Sequence, residues 1–129
     1  MNGCSAARKG ELLALAQRLG VTFHDIGLLH TALIHTSYAN EAQGRVAHNE
    51  RLEFLGDAVL ELASSTYLYT HFPTLPEGEL TKTRASIVCS AALAKIAARL
   101  GLGEYLLLGH GEEMSGGRAR TTNLEDAFE

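Results

Sequence analysis

No segment constrains this chain more than the stretch from Asn49 to His71, which carries no proline and ends just before Pro73 and Pro76. At about 100° per residue, Glu50, Glu53, Asp57 and Glu61 fall within an arc of about 80°. Leu52, Leu55, Val59, Leu62 and Ala63 occupy the other side. The spacing predicts one long helix with an acidic stripe, stopped by the prolines, which cannot donate to the helical ladder. Like charges three and four residues apart destabilise a helix by a few tenths of a kcal/mol each. Such a stripe is tolerated for solubility, or it exists for something that binds carboxylates.

The remaining sequence reads as further helices. Leu12, Leu15, Ala16 and Leu19 recur at three- and four-residue spacing, with Gly20 placed for a left-handed C-terminal residue. Asp25 suits an N-cap ahead of Ile26, Leu29, Leu33 and Ile34, after which 37–44 reads as a polar loop. Glu77 to Val88 reads as a helix. Ser90 is positioned to cap another, whose apolar residues Leu93, Ile96, Ala97 and Leu100 end at Gly101. Tyr105 to Leu108 is a short apolar run expected to pack on the core. Residues 109–120 hold four glycines among polar side chains and read as a mobile loop, matching neither phosphate-binding glycine pattern. Thr122 and Glu125 have capping-box spacing, so a last helix is expected to start there. Leu and Ala dominate over Val and Ile, a mix that favours helices. The fold class expected is all-α, in one domain.

Cys4 and Cys89 stand far apart without a zinc-type spacing, so neither a disulfide framework nor a zinc site is suggested. No apolar run resembles a signal peptide or reaches the ~20 residues of a membrane span. A cytoplasmic protein with no membrane partner is the expectation. The formal charge of −4 has the wrong sign for bulk attraction to nucleic acid, and the pairs Lys82/Arg84 and Arg118/Arg120 read as solvated surface charge.

The last helix alters the reading of the acidic stripe. It places Asp126 and Glu129 three residues apart on one face, with Leu124 to anchor it. Two acidic pairs on two helices, brought together, would form an all-oxygen cluster suited to Mg²⁺ or Mn²⁺. Two such ions astride a phosphodiester can generate hydroxide and stabilise the leaving oxygen. Di-iron oxidases also hold metals in helical bundles, but they use Glu-x-x-His pairs, and no Glu here is followed by His at that spacing.

The run His48-Asn-Glu-Arg-Leu-Glu-Phe-Leu-Gly-Asp-Ala-Val-Leu60 resembles the ribonuclease III family. The likeness continues through Phe23-His-Asp25, Ala32-Leu-Ile-His35, Ser37-Tyr38, Asn40-Glu41, Leu75-Pro-Glu-Gly-Glu-Leu80, 109–117 and 124–129. It implies that Glu53, Asp57, Asp126 and Glu129 bind the metal, with Asp57 and Glu129 also catalytic, and that Glu50 and Glu77 are accessory or dimer-related. It further implies a helical homodimer that cleaves double-stranded RNA, including precursors of ribosomal and messenger RNA, with Mg²⁺ as cofactor and Mn²⁺ as a substitute.

His35 and Ser37 might suggest a nucleophile and base, but two-metal hydrolysis needs no protein nucleophile, and His35 is expected to cap a helix or satisfy the core. Thr122-Asn123 and Glu125 depart modestly from the small or apolar residues more usual before the catalytic acid, which bears on helix capping more than on chemistry. Family members continue past Glu129 with an apolar helix, and bacterial ones add a double-stranded-RNA-binding domain. Residues 1–129 are therefore expected to be the catalytic domain without its final helix and without that second domain, and weakly active or inactive as a nuclease. The alternative is a non-catalytic member of the fold that binds RNA or a protein partner.

Overall fold

A computed structural model describes residues 4–129; Met1, Asn2 and Gly3, the start of the N-terminal stretch inspected above for a signal peptide, lie outside it. Helix α1 (Ala6–Leu19) is capped by Ser5, whose side chain accepts from the Arg8 N–H, and ends at Gly20 with φ 73°. That left-handed angle is the one the sequence reserved for glycine. Helix α2 (Ile26–Ala32) is capped by Asp25. The long element is α4 (Glu50–His71), followed by α5 (Glu77–Ile87) and α6 (Ser90–Arg99). Among the described residues the only strand-like pairing is an isolated parallel bridge between Ile34 and Leu107.

The core joins Leu12, Leu15 and Ala16 of α1 with Ile26 and Leu29 of α2, Ala94 and Ala97 of α6, Leu106, and Leu124 and Ala127 of the last helix, α8 (Thr121–Phe128). The short side chains Ala94, Ala97 and Ala127 let α6 and α8 approach closely along their lengths. Helix α4 runs at the margin of this core. Leu68 is its one buried residue, while Phe54, Leu55, Val59 and Leu62 are mostly exposed. Burial therefore does not account for the apolar side of α4. Its mid-helix Ser64, Ser65 and Thr66 each donate to the carbonyl four residues back, and Arg84 of α5 donates to Ser65 Oγ at 3.0 Å.

Four local expectations are corrected. The segment after Ser37 is part of a helix, α3 (Thr36–Glu41), capped by His35, a residue outside the usual capping set. The segment 109–120 is not a loose loop. It contains α7 (His110–Met114) and a 3₁₀ turn, Gly117–Ala119, tied down by polar bonds. Gly109 N donates to Ser37 Oγ at 2.8 Å, His110 N donates to Glu41, and Arg118 donates to the Gly103 and Leu106 carbonyls. Ser90 does not cap α6: Cys89 holds the N-cap position without a side-chain bond. The capping box of α8 does not form either. The helix starts at Thr121, its N-cap Arg120 makes no side-chain cap bond, and Glu125 instead accepts from Ser90 Oγ at 2.9 Å. Among the described residues no helix is long and apolar enough to cross a membrane.

Candidate metal centre

Glu53 is contributed by α4, whose start is fixed by Asn49. That residue is buried, its Nδ2 donates to the Ala32 carbonyl at 3.1 Å and its N–H to the Ile34 carbonyl at 3.0 Å. Asp126 and Glu129 are carried by α8 and the residue after it. Where the two helices meet, Glu53, Asp126 and Glu129 each bring a carboxylate oxygen within 4.8 Å of the others, all three half-buried. Asp57, one turn beyond Glu53, is exposed and lies outside this trio, yet its charge acts on Glu129. Glu50 is exposed in the first turn of α4, 3.9 Å from His48 Nε2, and lines a polar pocket with Glu53 and Asp126. Glu77 opens α5 and faces a different pocket, with Tyr69 and Arg84.

Crowding three acids in a half-buried place has an electrostatic cost, and it falls on protonation. Glu129 is pushed up to about 8, first by burial, then by its hydrogen bond and charge interaction with Glu53, and further by Glu125 and Asp57. Asp126 is raised by burial, then by Glu53 and Glu125, with His35 opposing. Without a cation the cluster therefore keeps a proton. Glu129 Oε2 is buried with no hydrogen-bond partner among the described residues. A close all-oxygen donor set, one oxygen of it unpaired, fits a hard divalent cation and no soft one.

Sequence reasoning missed the support behind α8. Asn123 is buried on the core side of the helix, with its Nδ2 on Glu112 Oε1 and the Gly117 carbonyl, both at 2.9 Å. Arg120 also pairs with Glu112. The available signal was an amide standing where the helical period calls for an apolar side chain.

An all-helical domain that joins carboxylates of a long helix to those of a short following one is the class of protein defined to this point. A model of the Ribonuclease-III-like family matches residues 25–129, and the chain belongs to that family. It is 56% identical over 119 residues to "Ribonuclease 3" of Natranaerobius thermophilus, covering 92% of this chain and 51% of that protein. It is also 56% identical over 116 residues to the protein of that name from Enterococcus faecalis, covering 89% and 50%. The chain thus spans about half the length of these curated relatives.

Two solved structures of the nuclease domain of ribonuclease III from Campylobacter jejuni share the fold. One has a TM-score of 0.81 and 43% identity over 88% of this chain and 76% of that one; its description concerns flexibility in a region involved in dimer formation. The other has a TM-score of 0.79 and 39% identity over 98% and 78%.

Proposed function

We propose that this chain provides the catalytic domain of an endoribonuclease that cleaves double-stranded RNA, including precursors of ribosomal and messenger RNA, in the cytoplasm and as a homodimer. The observation that carries the reading is the convergence of Glu53, Asp126 and Glu129 from two helices, beside an exposed Asp57. Glu53, Asp126 and Glu129 would hold a divalent ion, Mg²⁺ or Mn²⁺, with Asp57 completing the set toward a second. Bound there, such ions lower the pKa of water and neutralise charge on a leaving oxygen. The protein's part is to hold the carboxylates together and aimed, and to leave Asp57 open to the solvent from which a phosphodiester would approach. Glu50 and Glu77 stand outside the cluster and are proposed as accessory residues.

The exposed apolar side chains of α4, Phe54 at 80% and Leu62 at 71%, support the dimer, because a monomer gains nothing from showing them to water. The test is duplex-RNA cleavage with Mg²⁺ by this domain carried in a protein of its curated relatives' full length, alongside Glu53→Gln and Asp57→Asn. Loss of a direct ligand is expected to cost more than the roughly 10–100-fold typical of groups one step removed. Duplex binding should survive in both variants. Cleavage at the unsubstituted rate by either would refute the assignment.

A further inference from the structure

Helix α8 carries Asp126 and brings in Glu129 on only eight helical residues, Thr121–Phe128, short of the ~12–15 that hold a helix together in isolation. Its placement is therefore set from outside. Leu124 and Ala127 press it on the core, but apolar contact is non-directional and does not by itself select one rotation. No side chain caps its start, and its tether from Ser90 to Glu125 is solvent-exposed.

The directional bonds come from Asn123, which is 5% exposed and stands three residues before Asp126. Its Nδ2 donates to Glu112 Oε1 and to the Gly117 carbonyl, both at 2.9 Å. Two acceptors on one nitrogen fix which way the amide points. Glu112, on α7, is the hub of this contact. Its side chain is 19% exposed, and the same Oε1 accepts from Arg120, the residue just before α8, which also donates to the Ser115 carbonyl at 3.0 Å. A β-carbon at position 117 would overlap Glu112, so glycine there is what lets the carboxylate reach Asn123. The start of α7 is fixed in turn, because Gly109 N donates to Ser37 Oγ at 2.8 Å and His110 N donates to Glu41.

We infer that Glu112 and Asn123 are positioning residues for the carboxylate cluster: the bond from Asn123 to Glu112 sets the rotation of α8, and with it the aim of Asp126 and Glu129 at Glu53. Neither residue belongs to the cluster. The inference rests on the reading of that cluster as a divalent-ion site. Through Glu112, the segment 109–120 acts on a site to which it contributes no ligand.

The experiment is a double-mutant cycle on Mn²⁺ affinity, read by paramagnetic-resonance titration of the chain. Asn123→Leu and Glu112→Leu are each expected to weaken binding about tenfold, the low end of the range for groups that orient a ligand. The double variant should also lose only about tenfold, since one bond can be broken only once. It removes donor and acceptor together, so its melting point should recover from that of Glu112→Leu while its affinity stays low. Glu112→Gln keeps an oxygen that can accept from Asn123 and should bind Mn²⁺ nearly as the unsubstituted chain does.

Affinity that recovers together with the melting point in the double variant would assign the pair to stability alone and overturn the inference. A loss of about a hundredfold in the double variant would also overturn it, as two independent effects. So would Glu112→Gln binding as poorly as Glu112→Leu, which would place the effect in the charge and not in the bond. If the unsubstituted chain binds no Mn²⁺, the metal reading fails by itself and residual dipolar couplings of the metal-free chain decide. An α8 turned against α4 in Asn123→Leu supports the positioning role, and an unmoved one refutes it.

Discussion

The backbone of Glu129 lies so close to Gly56 that a β-carbon at position 56 would overlap the Glu129 carbonyl group. Glycine inside a helix costs about 1 kcal/mol relative to alanine. Within α4 that cost is accepted three residues after Glu53 and one before Asp57, and it lets the end of α8 reach the acidic stripe. Gly56→Ala should therefore raise the helix propensity of α4 while driving Glu129 away from Glu53. Because ligands work only when held within about half an ångström, Mn²⁺ affinity measured by titration calorimetry is expected to fall about tenfold or more. Unchanged affinity would show that Glu129 is not held at the site by this approach.

A second consequence concerns the segment 109–120. Arg118 spans Gly103 O at 2.8 Å, Leu106 O at 2.7 Å and the Glu113 carboxylate at 2.8–3.0 Å. Removing its side chain strands two half-buried carbonyls, at about 1–3 kcal/mol for groups left unpaired. Arg118→Ala is expected to lower stability within that range in urea unfolding, whereas Glu113→Ala, which removes only an exposed partner, should be close to neutral. Equal effects from the two would place the stabilisation in the ion pair and not in the carbonyl bonds.

These two cases mark where the sequence was legible. Helices α1, α2 and α4 announce themselves through local signals, namely apolar period, Asp25 as a cap, Gly20 as a left-handed end and Pro73 as a stop. The same arithmetic selected Glu53, Asp126 and Glu129, because spacing along a helix fixes which side chains share a face. It could not separate Asp57 from them, since Asp57 shares the stripe and only the level at which α8 meets α4, at Gly56, leaves it exposed.

Segment 109–120 was misread for a related reason. Its glycines suggest freedom, but Gly109 and Gly117 are buried at close approaches to Ser37 and Glu112, partners distant in sequence or hidden by the turn. Thr122 and Glu125 have the right spacing for a capping box, yet Glu125 is taken by Ser90, on another helix. Local rules find local partners.

The exposed side of α4 leads to a third expectation. Phe54 and Leu62 are the most exposed of its large apolar residues among those flanking the acidic stripe, and at 80% and 71% neither contributes to the monomer core. If a second copy covers them, sedimentation at micromolar concentration should give a dimer, and Phe54→Glu or Leu62→Glu should shift it to monomer with helicity and melting of the monomer nearly unchanged. Surface substitutions away from special features usually stay within about 0.5 kcal/mol. A dimer indifferent to both changes would locate the interface elsewhere.

The last expectation follows from the proton held by the cluster. Glu129 titrates near 4.5 when unfolded and is pushed up to about 8 in the folded chain, chiefly by burial and by its bond to Glu53. A folded pKa above the unfolded one means that the folded state binds more protons between those values, so this group's contribution to stability is full below about 4.5 and is lost as pH rises through about 8. Asp126, also raised by burial, contributes with the same sign. His35, lowered by burial, and Glu113, lowered by its bond to Arg118, act the other way. The Glu129 part must therefore be isolated by difference. Thermal midpoints of the metal-free chain and of Glu129→Gln, measured at pH 5, 6.5 and 8, should diverge, the unsubstituted chain losing ground to the variant as pH rises. A divalent cation takes the place of that proton, so binding should release protons and tighten over the same interval. With saturating Mn²⁺ the order is expected to invert at pH 8, the unsubstituted chain becoming the more stable because Glu129→Gln has lost a charged ligand. Parallel midpoints for the two chains across the range, with and without Mn²⁺, would show that Glu129 neither holds the proton nor yields its place to an ion.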